Sequence, residues 1–345
     1  MSKIVILGAG QMFMNLIAGC LDAGCEIVGV LRYDKVRYPL LDRLIIDIFN
    51  PSTEYNYIKA HKLYEIKAKS VNSAEFKKEI LKLNADVVLV GTWGEKFKKS
   101  IIDLPKFATI NVHPSLLPKY RGPNPYLQAI KHLETQSGVT FHLMDEKYDT
   151  GSILLQKTVE INSKDTGTEL REKIALLSRG GACELMQTLD TEIIIPIAQD
   201  EKHASYFPQI EEEEVMLDFS KSAEEVSAHI RAFSPWFKCY FGYNRQFFTP
   251  NPYKLEILSE LQKEKLGVKS KKQKAKSDKD TIYHLPFTIC LKTIVDKSEK
   301  DNSITVLCGD GKLLKLSDLK LYGFFKRFFT TFYIKHRVKT VNGEQ

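Results

Sequence analysis

The sequence lacks the features of membrane and disulfide-bonded proteins. No run of roughly 18 uncharged apolar residues occurs, and Met1-Ser2-Lys3 lead directly into a short apolar stretch instead of a secretory signal. The six cysteines form no Cys-x-x-Cys pair, and no histidine lies at zinc-finger spacing from them. We therefore expect a cytoplasmic protein that has no disulfide framework, binds no metal and contacts no membrane. We also expect a monomer, although no sequence feature fixes the oligomeric state.

Length and composition indicate an ordinary globular protein of two domains. The chain has 345 residues, of which 43% are hydrophobic and 27% are charged. Its net charge of +7 is uneven, because residues 245–345 hold 21 Lys and Arg against 11 Asp and Glu, or +10, and the remainder is −3. Residues 263–279 contain eight lysines and no aromatic residue, which predicts a flexible exposed loop.

The first half of the chain alternates apolar strand patterns with amphipathic helix patterns. We predict strands over residues 4–7, 26–31, 85–90 and 108–111, with helices over 11–23 and 73–83. This alternation predicts an α/β fold with a doubly wound, mainly parallel sheet. Ligands bind such sheets beyond the carboxyl ends of the strands, where residues 91–93 and 111–118 would lie.

The second half of the chain changes to shorter elements. We predict paired strands over residues 139–144 and 153–158, a long helix over 168–189, and a helix that begins at a Ser-x-x-Glu capping box and runs over 222–233. Short strands over 253–258, 282–291, 303–308 and 313–316 then predict a small β-barrel of the OB type. The predicted domains are a catalytic domain over 1–192, a linker over 193–219 with a solvated acidic run at 211–214, and a basic C-terminal domain over 220–345.

Three polar residues form a candidate active site. Asn111 and His113 are two positions apart on a predicted strand, so their side chains share one face, and Asp149 follows 36 positions later. Acyl transfer to an amine needs donors for a developing oxyanion and a group that handles a proton. An amide, an imidazole and an orienting carboxylate can fill these roles. Each residue alone is more often structural, but the combination favours catalysis.

Several segments resemble one enzyme family. Residues 111–122, 138–140 and 149–151 are similar to the motifs of the formyltransferases that use 10-formyltetrahydrofolate, and residues 218–223, 230–236 and 309–319 resemble the later part of methionyl-tRNA formyltransferases. The resemblance implies 10-formyltetrahydrofolate as the formyl donor and initiator methionyl-tRNA as the acceptor, with neither a metal nor NAD. It implies catalytic roles for Asn111, His113 and Asp149.

The resemblance also implies two binding regions. The folate pocket is expected to involve apolar and loop residues, namely Val88, Val90, Gly91, Ser115, Leu116, Leu117, Pro118 and Asp145. The acceptor is expected to meet basic residues, namely Arg32, Lys35, Arg37 and Arg121.

Other functions stay open at the level of sequence. Gly8-Ala9-Gly10 suggests a dinucleotide-binding turn, but Phe13 stands where the third glycine belongs. Residues 32–39 lack the glycines of the usual tRNA-binding loop, and residues 121–126 also depart from the family pattern, so an amino sugar on a nucleotide carrier is the alternative acceptor. A third hypothesis is a non-catalytic protein that binds tRNA or folate. The presence of all three candidate catalytic residues, Asn111, His113 and Asp149, disfavours it.

Overall fold

The computed structural model describes residues 2–33, 52–243, 246–266 and 294–321. The chain divides into two compact units. Unit 1 comprises Met1–Tyr126, Gln136–Ile161 and Glu169–Pro208, and unit 2 comprises Leu127–Thr135, Asn162–Thr168 and Gln209–Gln345. Lys35, Arg37, the strand predicted over 282–291 and most of the lysine-rich segment lie outside the described residues.

Unit 1 is built on a six-stranded sheet. Its strands are β1 (Lys3–Gly8), β2 (Glu26–Arg32), β3 (Val87–Gly91), β4 (Ala108–His113), β5 (Gln136–Leu143) and β6 (Ile153–Glu160), in the spatial order β2-β1-β3-β4-β5-β6. The pairings from β2 to β4 are parallel, whereas β5 and β6 are added antiparallel. The predicted mainly parallel α/β fold is confirmed.

Burial explains why these segments form strands. Residues 4–8 of β1 and all of β3 are buried, as a near-continuous apolar run in the centre of a parallel sheet should be. Val5, Leu7, Val88 and Val90 pack in one cluster that includes Phe76 of the helix Ala74–Leu83. Strand β6 lies at the edge and alternates between half-buried and exposed residues over most of its length. Because β1, β3 and β4 pair parallel, their carboxyl ends lie at one edge of the sheet.

The helices predicted over residues 11–23, 73–83, 168–189 and 222–233 are present, each within two residues of its predicted ends, and four further helices are described. Their bounds are α1 (Gly10–Asp22), α2 (Thr53–Ala60), α3 (Ala74–Leu83), α4 (Lys99–Ile102), α5 (Pro125–Lys131), α6 (Gly167–Thr191), α7 (Ala223–Phe233) and α8 (Glu260–Lys265), with 3₁₀ turns at Glu201–His203 and Glu212–Val215. Side chains of Ser52 and Ser73 cap α2 and α3 by accepting backbone N–H bonds. Among the described residues, no helix is both long and apolar enough to cross a bilayer.

Unit 2 is mainly antiparallel β structure, as predicted. Strands β10 (Ile294–Ser298), β11 (Ser303–Leu307), β12 (Leu313–Leu316) and β9 (Leu255–Ile257) form one sheet in that order. Strands β13 (Lys320–Leu321), β8 (Gln246–Thr249) and β7 (Phe241–Tyr243) form another. The predicted capping box is present, since Ser222 accepts from the Glu225 N–H and the Glu225 carboxylate accepts from the Ser222 N–H.

The prediction of an exposed loop over residues 263–279 is wrong for residues 263–265, which lie in α8. Lys263 lies in α8 and is only 8% exposed. Its Nζ donates to the carbonyl of Gly311 at 2.9 Å, and Glu260 lies 3.6 Å away. Lysine content predicts solvent exposure on average, but a single ammonium can be buried when a carbonyl and a carboxylate satisfy it.

Candidate active site

The structure brings together the three residues that the sequence singled out. Asn111 and His113 lie at the end of β4, and Asp149 lies on the loop between β5 and β6. Asp149 Oδ1 is 3.3 Å from Asn111 Nδ2 and 3.3 Å from His113 Nδ1. Its Oδ2 accepts from the Gly122 N–H at 2.9 Å. The side chains of His113 and Asp149 are 5% and 10% exposed, so the contact is shielded from water.

Both ring nitrogens of His113 face hydrogen-bond acceptors. Nδ1 faces the Asp149 carboxylate, and Nε2 lies 2.9 Å from the carbonyl oxygen of Tyr120. Only the doubly protonated ring can donate from both nitrogens. Burial alone would lower the pKa of His113, but the charge of Asp149 and the two hydrogen bonds raise it above the ordinary value. His113 is thus arranged as a cationic donor.

Asp149 is the anionic partner of this pair. Burial tends to raise the pKa of its carboxyl group, but attraction to His113, the hydrogen bond to that ring and the Gly122 N–H lower the pKa to about 2. At neutral pH the carboxylate is therefore ionised. Its two oxygens reach β4 on one side and the loop at Gly122 on the other.

His142 is a fourth member of the cluster that the sequence analysis missed. It is the backbone partner of Asn111 in the β4–β5 ladder, and its Nε2 lies 3.1 Å from Asn111 Nδ2. Its Nδ1 lies 2.8 Å from the Leu143 carbonyl, which assigns the proton to Nδ1 and leaves Nε2 to accept. Burial lowers the pKa of His142 to about 4, so this ring is neutral. The two-residue spacing from Thr140 places His142 on the same face of β5 as Thr140, but it does not indicate that His142 pairs with Asn111.

The cluster can stabilise negative charge on a reacting carbonyl. The Asn111 amide donates toward Asp149 and His142, and His113 donates toward Asp149 and Tyr120. The oxygen of a reacting carbonyl would therefore accept from N–H groups of Asn111 and His113 that are already oriented. Little water reaches the site, so these electrostatic contacts are weakly screened. The positive charge of His113 strengthens such a contact.

The loop over residues 115–118 is fixed from the sheet. Ser115 Oγ donates to the Lys119 carbonyl at 2.7 Å, and Thr140 Oγ1 donates to the Ser115 carbonyl at 2.6 Å. The same hydroxyl oxygen accepts from the Leu117 N–H at 3.1 Å. Ser115 and Leu117 are buried, whereas Leu116 and Pro118 are half-buried. A ligand at this loop would meet Leu116 and Pro118 first.

The other residues predicted for folate have different surroundings. The side chains of Val88 and Val90 are 3% and 1% exposed and belong to the core, and Gly91 ends β3. Asp145 is exposed, and its carboxylate accepts from the Thr150 hydroxyl at 2.8 and 2.7 Å. Gly91 is buried as well, so Asp145 is the one exposed residue of these four, and contact of all four with folate stays a prediction.

Two of the arginines predicted for the acceptor are held by the protein itself. Arg32 is 4% exposed, pairs with Glu65 at 2.8 Å and donates to Ser52 Oγ at 3.1 Å. Arg121 is 7% exposed and donates to Glu201 at 3.0 and 2.7 Å. Their contact with an acceptor therefore stays a prediction, as does that of Lys35 and Arg37 outside the described residues.

The glycine-rich turn after β1 has a structural explanation. A Cβ atom at Gly8 would lie 2.3 Å from the Gly91 carbonyl oxygen, so the close approach of β1 and β3 requires glycine. The Gly10 N–H, at the start of α1, donates to the Glu54 carboxylate at 2.9 Å. A phosphate at that N–H would have to displace or approach this carboxylate, which disfavours dinucleotide binding there.

The chain is similar in sequence to known formyltransferases. Residues 2–183 match the formyl transferase family, and residues 209–323 match the formyl transferase C-terminal domain. The chain is 31% identical over 235 residues to a methionyl-tRNA formyltransferase of Lachnospira eligens, covering 68% of this chain and 73% of the relative. It is 26% identical over 326 residues to that of Enterococcus faecalis, covering 94% and 92%.

Solved structures show the same fold. An N-formyltransferase from Helicobacter canadensis, in complex with folinic acid and dTDP-3-aminofucose, aligns with a TM-score of 0.61 at 19% identity, covering 92% of this chain and 99% of that one. HypX from Aquifex aeolicus, in complex with tetrahydrofolic acid, aligns with a TM-score of 0.56 at 14% identity, covering 93% of this chain and 44% of that one. The range matched by the first family model includes all four residues of the buried polar cluster. The chain is a formyltransferase and belongs to the formyl transferase family.

Proposed function

We propose that the protein transfers the formyl group of 10-formyltetrahydrofolate to the amino group of initiator methionyl-tRNA. The observation that supports the chemistry is the buried ion pair of His113 with Asp149 beside the Asn111 amide. The observation that supports the acceptor is the similarity to the Enterococcus faecalis methionyl-tRNA formyltransferase, which extends through both units of the chain.

The proposed roles follow from the charges of the site. As the amine attacks the formyl carbon, negative charge grows on the formyl oxygen, and Asn111 and His113 supply the donors for it. Asp149 keeps the His113 ring charged and oriented throughout. The donor supplies the formyl group, and the folate nitrogen that leaves takes up the proton that the amine loses. No net charge is created.

The charge of the C-terminal part suits a polynucleotide acceptor. Residues 245–345 carry an excess of +10, and exposed lysines among the described residues of this part include Lys254, Lys297, Lys300 and Lys320. Lysines bind phosphates without reading sequence, and each contact releases counterions from the nucleic acid. Binding of tRNA should therefore weaken steeply with salt.

An amino sugar on a nucleotide carrier is the second candidate acceptor. The segment that begins at the last residue of β2, residues 32–39, lacks the glycines that are usual in the tRNA-binding loop of the methionyl-tRNA formyltransferases that the chain resembles. Residues 121–126 also depart from the pattern of those enzymes. A compact diphosphate ligand would make few ionic contacts, so salt should affect its use little.

A direct competition assay tests the proposal. The protein is supplied with 10-formyltetrahydrofolate and offered methionyl-tRNA and a panel of nucleotide-linked amino sugars at several salt concentrations. We expect formyl-methionyl-tRNA as the main product, and a log–log slope of kcat/KM against salt of roughly −0.7 to −0.9 per phosphate contact. Preference for an amino sugar, with turnover insensitive to salt, would overturn the tRNA assignment and leave the formyl-transfer chemistry.

A charge variant sharpens the same test. Lys297→Ala combined with Lys300→Ala should raise the KM for methionyl-tRNA and make the salt slope less steep, with little change in kcat. The matched control is Glu299→Gln, an exposed residue between the two lysines, which should not raise that KM. Equal behaviour of the double variant and the control would place the tRNA contact elsewhere.

A further inference from the structure

The side chain of Gln199 joins two loops of the active site through four hydrogen bonds. Its Oε1 accepts from Arg121 Nη2 at 2.7 Å and from Arg121 Nε at 3.2 Å. Its Nε2 donates to the backbone carbonyls of Asp149 at 2.9 Å and Gly151 at 2.8 Å. Because a guanidinium only donates and a carbonyl only accepts, this pattern fixes the orientation of the amide.

One end of this bridge holds Asp149 in a backbone conformation that few side chains adopt. Asp149 has φ of +58°, in the left-handed region. In this conformation the carboxylate lies 3.3 Å from Asn111 Nδ2 and 3.3 Å from His113 Nδ1. The next turn is tight as well, since a Cβ at Gly151 would lie 1.8 Å from the Leu143 carbonyl oxygen. Two of the carbonyls of this strained turn receive their hydrogen bonds from Gln199.

The other end of the bridge holds the loop on the opposite side of His113. Arg121 lies between Tyr120, whose carbonyl accepts from His113 Nε2, and Gly122, whose N–H donates to Asp149 Oδ2. The strand-like segment after Gln199 pairs with the same loop, since the Arg121 N–H donates to the Ser205 carbonyl and the Phe207 N–H donates to the Arg121 carbonyl, both at 2.9 Å. Gln199 therefore contacts both loops that surround the ion pair.

We propose that Gln199 is a positioning residue for the reaction, because it sets the distance between Asp149 and His113 without touching the substrate. The inference rests on the proposed formyl transfer. Loss of the two donors would free the Asp149 turn to relax from its left-handed conformation. The carboxylate would then move from His113, the pKa of the His113 ring would fall, and charge stabilisation in the transition state would weaken.

Two variants separate the two ends of the bridge. Gln199→Met keeps the length of the side chain and removes all four hydrogen bonds. Gln199→Glu keeps the acceptor for Arg121 and removes both donors to the carbonyls of Asp149 and Gly151. The matched control is Lys202→Ala, an exposed residue of the same segment. All are made in the full-length protein.

We expect both Gln199 variants to lower kcat about 10- to 100-fold with KM changed less than about threefold, and the control to match the parent protein. Gln199→Met should also lower the pKa of His113, measured by ¹⁵N NMR of histidine-labelled protein, with the signal assigned through His113→Gln. Thermal unfolding of each variant shows whether it is folded. If Gln199→Met does not fold, the kcat of Gln199→Glu alone tests whether Gln199 is a positioning residue.

The outcomes distinguish this inference from the proposed function. Parent-like kcat in Gln199→Glu would show that the donors to the Asp149 turn are not needed and would overturn the proposal. An unchanged His113 pKa in folded Gln199→Met would overturn it as well. If the parent protein formylated no acceptor, the proposed function would fail, while the His113 pKa would still report whether Gln199 positions Asp149.

Discussion

Two turns lie at the same edge of the six-stranded sheet, and they differ in the side chains that surround them. The turn after β1 contains Gly8 and Gly10, and the one described partner of the Gly10 N–H is the protein's own Glu54 carboxylate. The turn after β4 follows Asn111 and His113 and is surrounded by titratable side chains with shifted pKa values. The glycines of the first turn allow two backbone segments to approach closely, whereas the second turn lies beside the buried ion pair of His113 and Asp149.

The difference shows what each kind of motif reports. A glycine pattern reports that two backbones approach closely, which ligand binding and plain packing both require. A buried cluster of an amide, two imidazoles and a carboxylate costs free energy unless its members satisfy one another. Such a cluster at a ligand-binding edge is the more specific indication of chemistry.

The largest expected effect is loss of turnover when the second turn loses a donor. Asn111→Ala and His113→Ala should each lower kcat/KM for formyl transfer by about 10²–10³, because each removes a donor for the developing oxyanion. His61→Ala, at an exposed histidine, is the control and should match the parent protein. A folded His113→Ala protein with parent-like turnover would show that the polar cluster after β4 has only a structural role. The two turns would then not differ in function.

The next prediction concerns the charge of the ion pair. Asp149→Asn keeps the size of the side chain but removes the negative charge that opposes the effect of burial on His113. The pKa of His113 should therefore fall below its ordinary value, as burial then dominates. Histidine-selective ¹⁵N NMR titration measures it. In the parent protein the pKa of His113 should lie above the ordinary value, and a His113 that titrates identically in both proteins would contradict the electrostatic account.

The sequence predicted the fold and three members of the polar cluster, but it did not indicate the residues that hydrogen-bond to them. The two-residue spacing of Asn111 and His113 was enough to place them on one face of a strand. His142 was missed because its pairing with Asn111 depends on the antiparallel register of β5, which has no local sequence signal. Gln199 lies in a segment predicted to be a linker, and its bonds to Arg121 and Asp149 join residues 78 and 50 positions away.

A smaller effect is expected in the pH dependence of stability. The folded-state pKa of His142 is about 4, below its usual 6.5, so the unfolded chain takes up this proton first as the pH falls. His142 therefore lowers stability progressively between about pH 6.5 and pH 4. His142→Gln can still accept from Asn111 but does not titrate. As the pH is lowered through this window, the thermal midpoint of the variant should fall less than that of the parent protein. Parallel plots of midpoint against pH would show that the His142 ring is not held neutral in the folded protein.

The smallest effect is expected at the turn after β1. Glu54→Gln can still accept from the Gly10 N–H but removes the charge near the start of α1. A carboxylate at a helix N-terminus contributes roughly 0.3–1 kcal/mol, so we expect a slight decrease in the thermal midpoint. Formyl transfer should keep its parent kcat and KM, and NADH fluorescence should not change on addition of either protein. A loss of turnover comparable to that of His113→Ala would show that the two turns act together, and would end the distinction between a structural and a chemical turn.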